Sequence, residues 1–294
     1  MVKASHKPDF ICIGPEKTAT TWLFSILHDH PEVWLPPYKE LRFLTEGNFV
    51  PSYSLKNLFF SAHWHYRELR RILLRSTAKM LLWRKTECFG PFESFAWVMR
   101  YMFSRHTFEW YASLFDKGKG RLCGDITPNY YHIPESRIAE LYRHNPDAKI
   151  LLFVRNPIER AWSGALMNYC DHAGRDFDHV TEAEWIAMLD EFYGYWRPYP
   201  QVIRTWQAYF PGICVAFFDR LQDDPEGFYE DITGFLGIDP RLCDKSVGKV
   251  VGRGVGRQMS QRIHEHLKSQ YEAEIRDLAS TGLSPYPEQW LRAL

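Results

Sequence analysis

The chain has 294 residues, 45% of them hydrophobic, which suffices for a sizeable core in one large α/β unit or two small ones. Lys plus Arg number 36, as do Asp plus Glu, which excludes a long-range positive field that would draw the protein onto nucleic acid; any anion site must be local. No apolar run reaches the roughly 18 residues of a spanning helix, the stretch to Pro8 lacks a signal-peptide core, and six scattered cysteines form neither a CxxC pair nor a metal-ligand spacing. The expectation is a cytoplasmic protein with reduced cysteines and no metal.

In chain order, Asp9–Gly14 (DFICIG) is a short apolar run ending in glycine, and Thr20–His28 (TTWLFSILH) follows with helical spacing. The pattern predicts strand, turn, helix. Apolar runs predict further strands at Arg121–Ile126, Ala148–Val154 and Ile213–Phe218. Helical patterns fill Glu135–His144, Ile158–Tyr169, Glu182–Tyr195 and Pro225–Leu236. Such alternation predicts an α/β fold, a single domain over 1–294 with a central, mostly parallel sheet flanked by helices. From about 50 to 115 the strand pattern lapses and Trp, Phe, Tyr, Leu and Arg become dense, which predicts a helical insertion. Within it, Tyr66–Lys85 mixes apolar residues with seven basic ones. Such a helix either lays a solvated face over the core or rests on an anionic membrane. Met259–Ser280 reads as an exposed terminal helix with a mixed-charge face.

The first chemical constellation is Gly14-Pro15-Glu16-Lys17-Thr18-Ala19-Thr20-Thr21-Trp22, between the first strand and first helix. Unpaired N–H groups at a helix start, the hydroxyls and one ammonium converge there, making a P-loop-like phosphate-binding turn. A Walker A loop would need glycine at the positions of Ile11 and Glu16. The plainer alternative makes Thr20 a helix cap and Lys17 a solvated cation.

The second constellation is Arg155-Asn156-Pro157-Ile158-Glu159-Arg160-Ala161-Trp162-Ser163, directly after an apolar strand. Pro157 suits the first helical position, and Arg155 then lies at a strand's carboxyl end, where open parallel sheets bind ligands. A forked cation and a hydroxyl two turns on suit a second phosphate. The alternative pairs Arg155 with a core carboxylate and packs Ser163 against the sheet.

Taken together, these motifs resemble the sulfotransferases that use 3′-phosphoadenosine 5′-phosphosulfate (PAPS). Lys17, Thr18, Ala19, Thr20, Thr21 and Trp22 resemble the family's 5′-phosphosulfate loop, and Arg155 with Ser163 its 3′-phosphate motif. The resemblance extends to Gly124–Tyr131 and to a tail loop in which Arg253, Gly254 and Arg257 are candidates for the 3′-phosphate. It implies PAPS as donor, its desulfo product PAP, and no metal.

The phenol and steroid branch carries a catalytic His after a Lys-Thr pair in the third motif, where this chain has Ile126-Thr127-Pro128. Heparan-type and bacterial relatives instead place a Glu in a stretch similar to Pro36-Pro37-Tyr38-Lys39-Glu40-Leu41-Arg42-Phe43, which makes Glu40 the expected general base, with Asp125 next and Lys17 as the catalytic cation. Three departures bear on the site. Ala19 replaces a usual Gly and is expected to keep a negative φ, Arg42 replaces a His, and Ile126 replaces a Lys, so that one cation of the acceptor or sulfate side is moved or lost. The expected acceptor is a hydroxyl of a small molecule or carbohydrate; an amine, or a lipid or glycolipid at a membrane surface, stays open. A P-loop nucleotide kinase and a non-catalytic nucleotide-binding module are the readings from other classes.

Overall fold

A computed structural model describes residues 6–45, 70–71, 91–243, 247–248 and 256–294. Five strands, β1 (Phe10–Cys12), β2 (Val33–Trp34), β3 (Leu122–Ile126), β4 (Lys149–Val154) and β5 (Cys214–Phe217), form one sheet in the order β2-β3-β1-β4-β5. Every pairing is parallel, with Phe10 opposite both Gly124 and Lys149, and Cys12 opposite Ile126 and Leu151. The sheet is thus parallel throughout rather than mostly so.

Parallel sheets bury both faces, so their strands read as unbroken apolar runs. Here the period of two sorts each run between two cores. Phe10, Cys12, Leu151 and Phe153 face α1 (Thr20–His28) and α9 (Pro225–Leu236) through Trp22, Leu23, Phe228 and Ile232. Ile11, Ile13, Ile150, Leu152 and Val154 share the other core with α5 (Pro157–Leu166), α6 (Glu182–Tyr195), α7 (Tyr199–Gln207) and α10 (Gln261–Ser280). Burying one such large side chain is worth about 1.5–3 kcal/mol, so the two cores dominate the stability. Gly124 is required by this packing, since a Cβ there would lie 2.0 Å from the Phe10 ring.

The remaining helices are α2 (Pro91–Phe103), α3 (Phe108–Ser113), α4 (Glu135–His144), α8 (Phe218–Asp223) and α11 (Tyr286–Ala293). Helices α2 and α3 lie in the expected insertion and build a third core against the β2–β3 edge from Trp34, Trp97, Tyr101, Trp110 and Cys123. Of the basic stretch Tyr66–Lys85, only Arg70 and Arg71 fall among the described residues.

Several boundaries differ from expectation for local reasons. The helix expected over Ile158–Tyr169 starts at Pro157, where Asn156 caps the Ile158 N–H at 3.0 Å, and after Leu166 it widens into a π-helical turn over Met167–His172. The run Ile213–Phe218 gives up Phe218 to helix α8. Helix α10 is neither exposed nor terminal: Ile263, Leu267, Tyr271, Ile275 and Leu278 are buried at intervals of three or four, and α11 follows. Cys12, Cys123, Cys170, Cys214 and Cys243 are free thiols. No described helix is long and apolar enough to cross a membrane.

Candidate active site

The chain leaves β1 for β2 and β3 on one side, then returns to β4 and β5 on the other, so the connections after β1 and β4 diverge from neighbouring strands. That is the switch point at which open α/β sheets form a crevice. The loop after β1 turns through left-handed backbone three times, at Gly14 (φ 89°), Lys17 (φ 66°) and Ala19 (φ 74°). Thr18 is fully buried and its hydroxyl donates to the Pro15 carbonyl at 2.7 Å, closing the loop on itself. Ala19 contradicts the expectation of a negative φ: it occupies the N-cap of α1 in the left-handed region and offers no side-chain cap. An L-residue pays about 1–2 kcal/mol there. Strain of this kind is held where the surroundings over-determine the backbone. The first N–H groups of α1, at Thr20, Thr21 and Trp22, point from the start of a nine-residue helix with no side-chain acceptor from its cap.

Arg155 stands at the end of β4, one strand from this loop. Its Nη1 donates to the Lys17 carbonyl at 3.1 Å, and its Nη2 meets the Glu159 carboxylate one turn into α5 at 3.2 Å. The guanidinium lies over the Phe218 ring at 4.7 Å, the Tyr199 hydroxyl accepts the Arg155 N–H, and the buried Nε has no acceptor. The carboxylate that pairs with Arg155 is therefore the half-exposed one in the first turn of α5 rather than one in the core. Ser163 lies two turns along α5, partly exposed.

The tail meets both motifs through indoles. Trp22 Nε1 donates to the Val247 carbonyl at 2.9 Å, and Trp162 Nε1 donates to the Arg257 carbonyl at 2.8 Å. Arg257 stacks on Phe177 and pairs with Asp178 at 3.7 Å. Arg253 and Gly254 lie outside the described residues.

Glu40 is partly buried with left-handed backbone (φ 67°), as is Arg42 (φ 57°). Arg42 Nη2 donates to Glu40 Oε2 at 2.8 Å, while Lys39 Nζ lies 3.6 Å from Glu40 Oε1 and donates to the Thr21 hydroxyl at 3.0 Å. Lys39 thus links the Glu40 stretch to the first turn of α1. Glu16, in the phosphate loop, belongs to the same electrostatic group: burial pushes its carboxyl up, Glu40 adds to this, and Arg42 and Arg160 oppose it. Asp125, by contrast, is buried in β3 and accepts from Tyr111 at 2.7 Å, Thr127 at 2.7 Å and Tyr130 at 2.9 Å. Three donated hydroxyls make it an anchor for α3 and for the turn after β3. Burial pushes its carboxyl pKa up, opposed by those same hydroxyls.

Behind Glu16 lies Arg160, buried among Trp196, Tyr199 and Tyr131, with its nearest ring at 4.1 Å. His132 packs at a tilt against the same Trp196, and burial, Arg160 and Arg197 pull its imidazole down to about 3 from the usual 6.5. Unfolded chains take up that proton below about 6.5 and the folded chain does not until about 3. Stability is therefore present above this window and lost as pH falls through it, by at most about 1.4 kcal/mol per pH unit for one proton. A His132→Gln variant is expected to show a flatter fall in Tm between about pH 6.5 and 4 than the wild type, read by thermal melts in matched buffers. Equal slopes would place the sensitivity elsewhere.

The structure thus gathers Lys17, Thr18, Ala19, Thr20, Thr21 and Trp22 in one loop, brings Arg155 against it, and sets Glu40 beside it through Lys39 and Arg42. Sequence reasoning gave no role to Glu16, Glu159, Tyr199 or Phe218 in this site, and took Lys39 only as a neighbour of Glu40. Of the first four, Glu159, four residues after Arg155, carried a readable signal in its spacing.

Solved structures share this fold. A bacterial sulfotransferase structure from Alicyclobacillus acidocaldarius superposes with a TM-score of 0.57 over 94% of this chain and 95% of its own, at 20% identity. The sulfotransferase domain from the curacin biosynthetic pathway does so with a TM-score of 0.52 over 81% and 77%, at 15% identity. In sequence, human heparan sulfate glucosamine 3-O-sulfotransferase 6 is 28% identical over 142 residues, 46% of this chain and 41% of that protein. The mouse protein of the same name is 27% identical over the same span, so the match covers less than half the length of these relatives. The family model described as "Sulfotransferase family" matches residues 8–241, and this chain belongs to the sulfotransferase family.

Proposed function

We propose that this sulfotransferase takes its sulfuryl group from PAPS and delivers it to a hydroxyl of a small-molecule or carbohydrate acceptor, with Glu40 as general base. The observation that carries the reading is the hydrogen bond from Arg155 Nη1 to the Lys17 carbonyl, which ties the two anion-binding motifs into one surface at the ends of β1 and β4. The residues fit the donor: a buried Arg155 Nε without an acceptor, N–H groups at an α1 start that lacks a side-chain cap, and a loop kept left-handed at Lys17 and Ala19. Bound PAPS would supply a sulfuryl group on an activated phosphate leaving group.

Each side chain then has one task. The α1 N–H groups, Lys17 and Thr20 or Thr21 stabilise charge gathering on the 5′-phosphate. Arg155, with Ser163 and one of the tail cations Arg253 and Arg257, holds the 3′-phosphate and sets register. Glu40 takes the acceptor proton, oriented by Arg42. Asp125, saturated by three hydroxyls, is the weaker candidate for that task. A P-loop kinase would bind ATP with Mg²⁺ instead, and the two readings part on which nucleotide stabilises the fold. The relatives named for heparan sulfate make a carbohydrate acceptor the stronger of the two acceptor classes.

The test is ligand-dependent melting. PAP is expected to raise Tm well above the shift given by ATP with Mg²⁺, by mass action on the folded state. Arg155→Ala is expected to weaken PAP binding about 30- to 100-fold and so suppress most of that shift, since a charge-assisted contact is lost. A wild-type protein that responds equally to ATP, or to neither nucleotide, would remove the donor assignment.

A further inference from the structure

The chain lacks a lysine at Ile126, where the resemblance would set a cation, and the side chain at that position is apolar and buried in the core beneath α1. Lys39, however, brings an ammonium to the same end of the sheet from another element. Its Nζ is 3.0 Å from Thr21 Oγ1, in the first turn of α1, and 3.6 Å from Glu40 Oε1. Its field also reaches the Cys12 thiol at the carboxyl end of β1, which it lowers against the larger effect of burial. The ammonium therefore stands between the loop assigned to the leaving phosphate and the carboxylate assigned to the acceptor proton.

Neither neighbour requires this charge. Glu40 already has a short ion pair with Arg42 on its other oxygen, and Thr21 offers a neutral hydroxyl. Left-handed backbone at Glu40 and Arg42 fixes the direction in which this stretch presents its side chains. Lys39 is partly exposed, at 22% of its side-chain surface, and its contact with Thr21 lies on the solvent side, where an incoming anion can reach the ammonium.

We propose that Lys39 is a catalytic residue that binds the oxygens of the transferring sulfuryl group; this rests on the reading of the crevice as a PAPS site. As the acceptor oxygen forms its bond to sulfur, the bond from sulfur to the 5′-phosphate oxygen breaks and its electron pair leaves with the phosphate. The acceptor proton passes to Glu40. Lys39 bridges the two ends of that line, hydrogen-bonding the sulfuryl oxygens where Lys17 serves the departing phosphate.

The experiment is calorimetric titration of wild type, Lys39→Met and Lys39→Arg with PAPS and, separately, with PAP, which lacks the sulfuryl group. Lys39→Met is expected to weaken PAPS about tenfold and PAP less than about twofold, and Lys39→Arg to restore PAPS affinity to within about threefold. Equal loss for both nucleotides would make Lys39 a support for the loop and overturn the proposal, as would unchanged PAPS affinity. Wild-type protein that binds neither nucleotide would instead defeat the donor assignment, and this proposal with it.

Discussion

Glu40→Gln is expected to lower sulfuryl transfer about 10²- to 10³-fold while leaving PAP affinity within about twofold of wild type. The glutamine keeps the shape of the side chain and an oxygen that can accept from Arg42 Nη2, now 2.8 Å from Glu40 Oε2, so the Lys39–Glu40–Arg42 stretch retains its geometry. What it loses is the capacity to hold a proton. Because PAP carries no reacting group, its binding reports the donor pocket alone, and the split between rate and affinity isolates proton removal. Turnover would be read as PAP release with an acceptor identified by mass screening with PAPS. Were Glu40→Gln to keep its rate within about threefold across the pH range, the base would be another group. Asp125 could then be examined through Asp125→Asn, although three hydroxyl donors make that change disruptive to the fold as well.

Gly14→Ala is expected to destabilise the protein by at least about 3–4 kcal/mol, a fall in Tm near 10 °C, or to prevent soluble expression. A Cβ at 14 would stand 2.4 Å from Pro128 Cα and 2.5 Å from the Pro128 carbonyl oxygen, both backbone atoms of the turn after β3. No rotamer relieves a backbone clash, and the φ of 89° adds a penalty of its own. The two connections would have to part, and with them the loop carrying Lys17. Gly164→Ala is the control. No atom lies within 4 Å of its added Cβ, and within helix α5 alanine gains roughly 0.5–1 kcal/mol over glycine. A Gly14→Ala protein that melts like wild type would show that β1 and β3 tolerate separation at this end.

The strands and helices that carry the site were legible because each joins an apolar run to a punctuating residue. Cys12 and Gly14 end one run, and Val154, Asn156 and Pro157 end another. Strand β2 was not, since Val33–Trp34 is two residues long and gives no period. Helices α7 and α11 begin at Tyr199-Pro200 and Tyr286-Pro287, where aromatic and proline signals compete. Residue type also misled at Ala19: alanine favours right-handed helix on its own, and the αL turn there is imposed by the strand-to-helix geometry. Within the site, Glu40 was readable from its flanking residues, yet its bracketing by Lys39 and Arg42 depends on left-handed backbone that no spacing rule encodes. Asp125 shows the reverse limit. A carboxylate in a motif reads alike as base or anchor, and the spacing gives no sign that Tyr111, brought from the insertion, donates to it.

The guanidinium of Arg155 faces three directions at once, toward a carbonyl on the neighbouring strand's loop, toward the Glu159 carboxylate, and through a buried Nε that has no acceptor. An ammonium at this position has the same charge but no fork, so it would serve either the internal bridge or an incoming anion. Exchanging arginine for lysine there would turn one rigid clasp into a choice between holding the scaffold together and holding the proposed nucleotide.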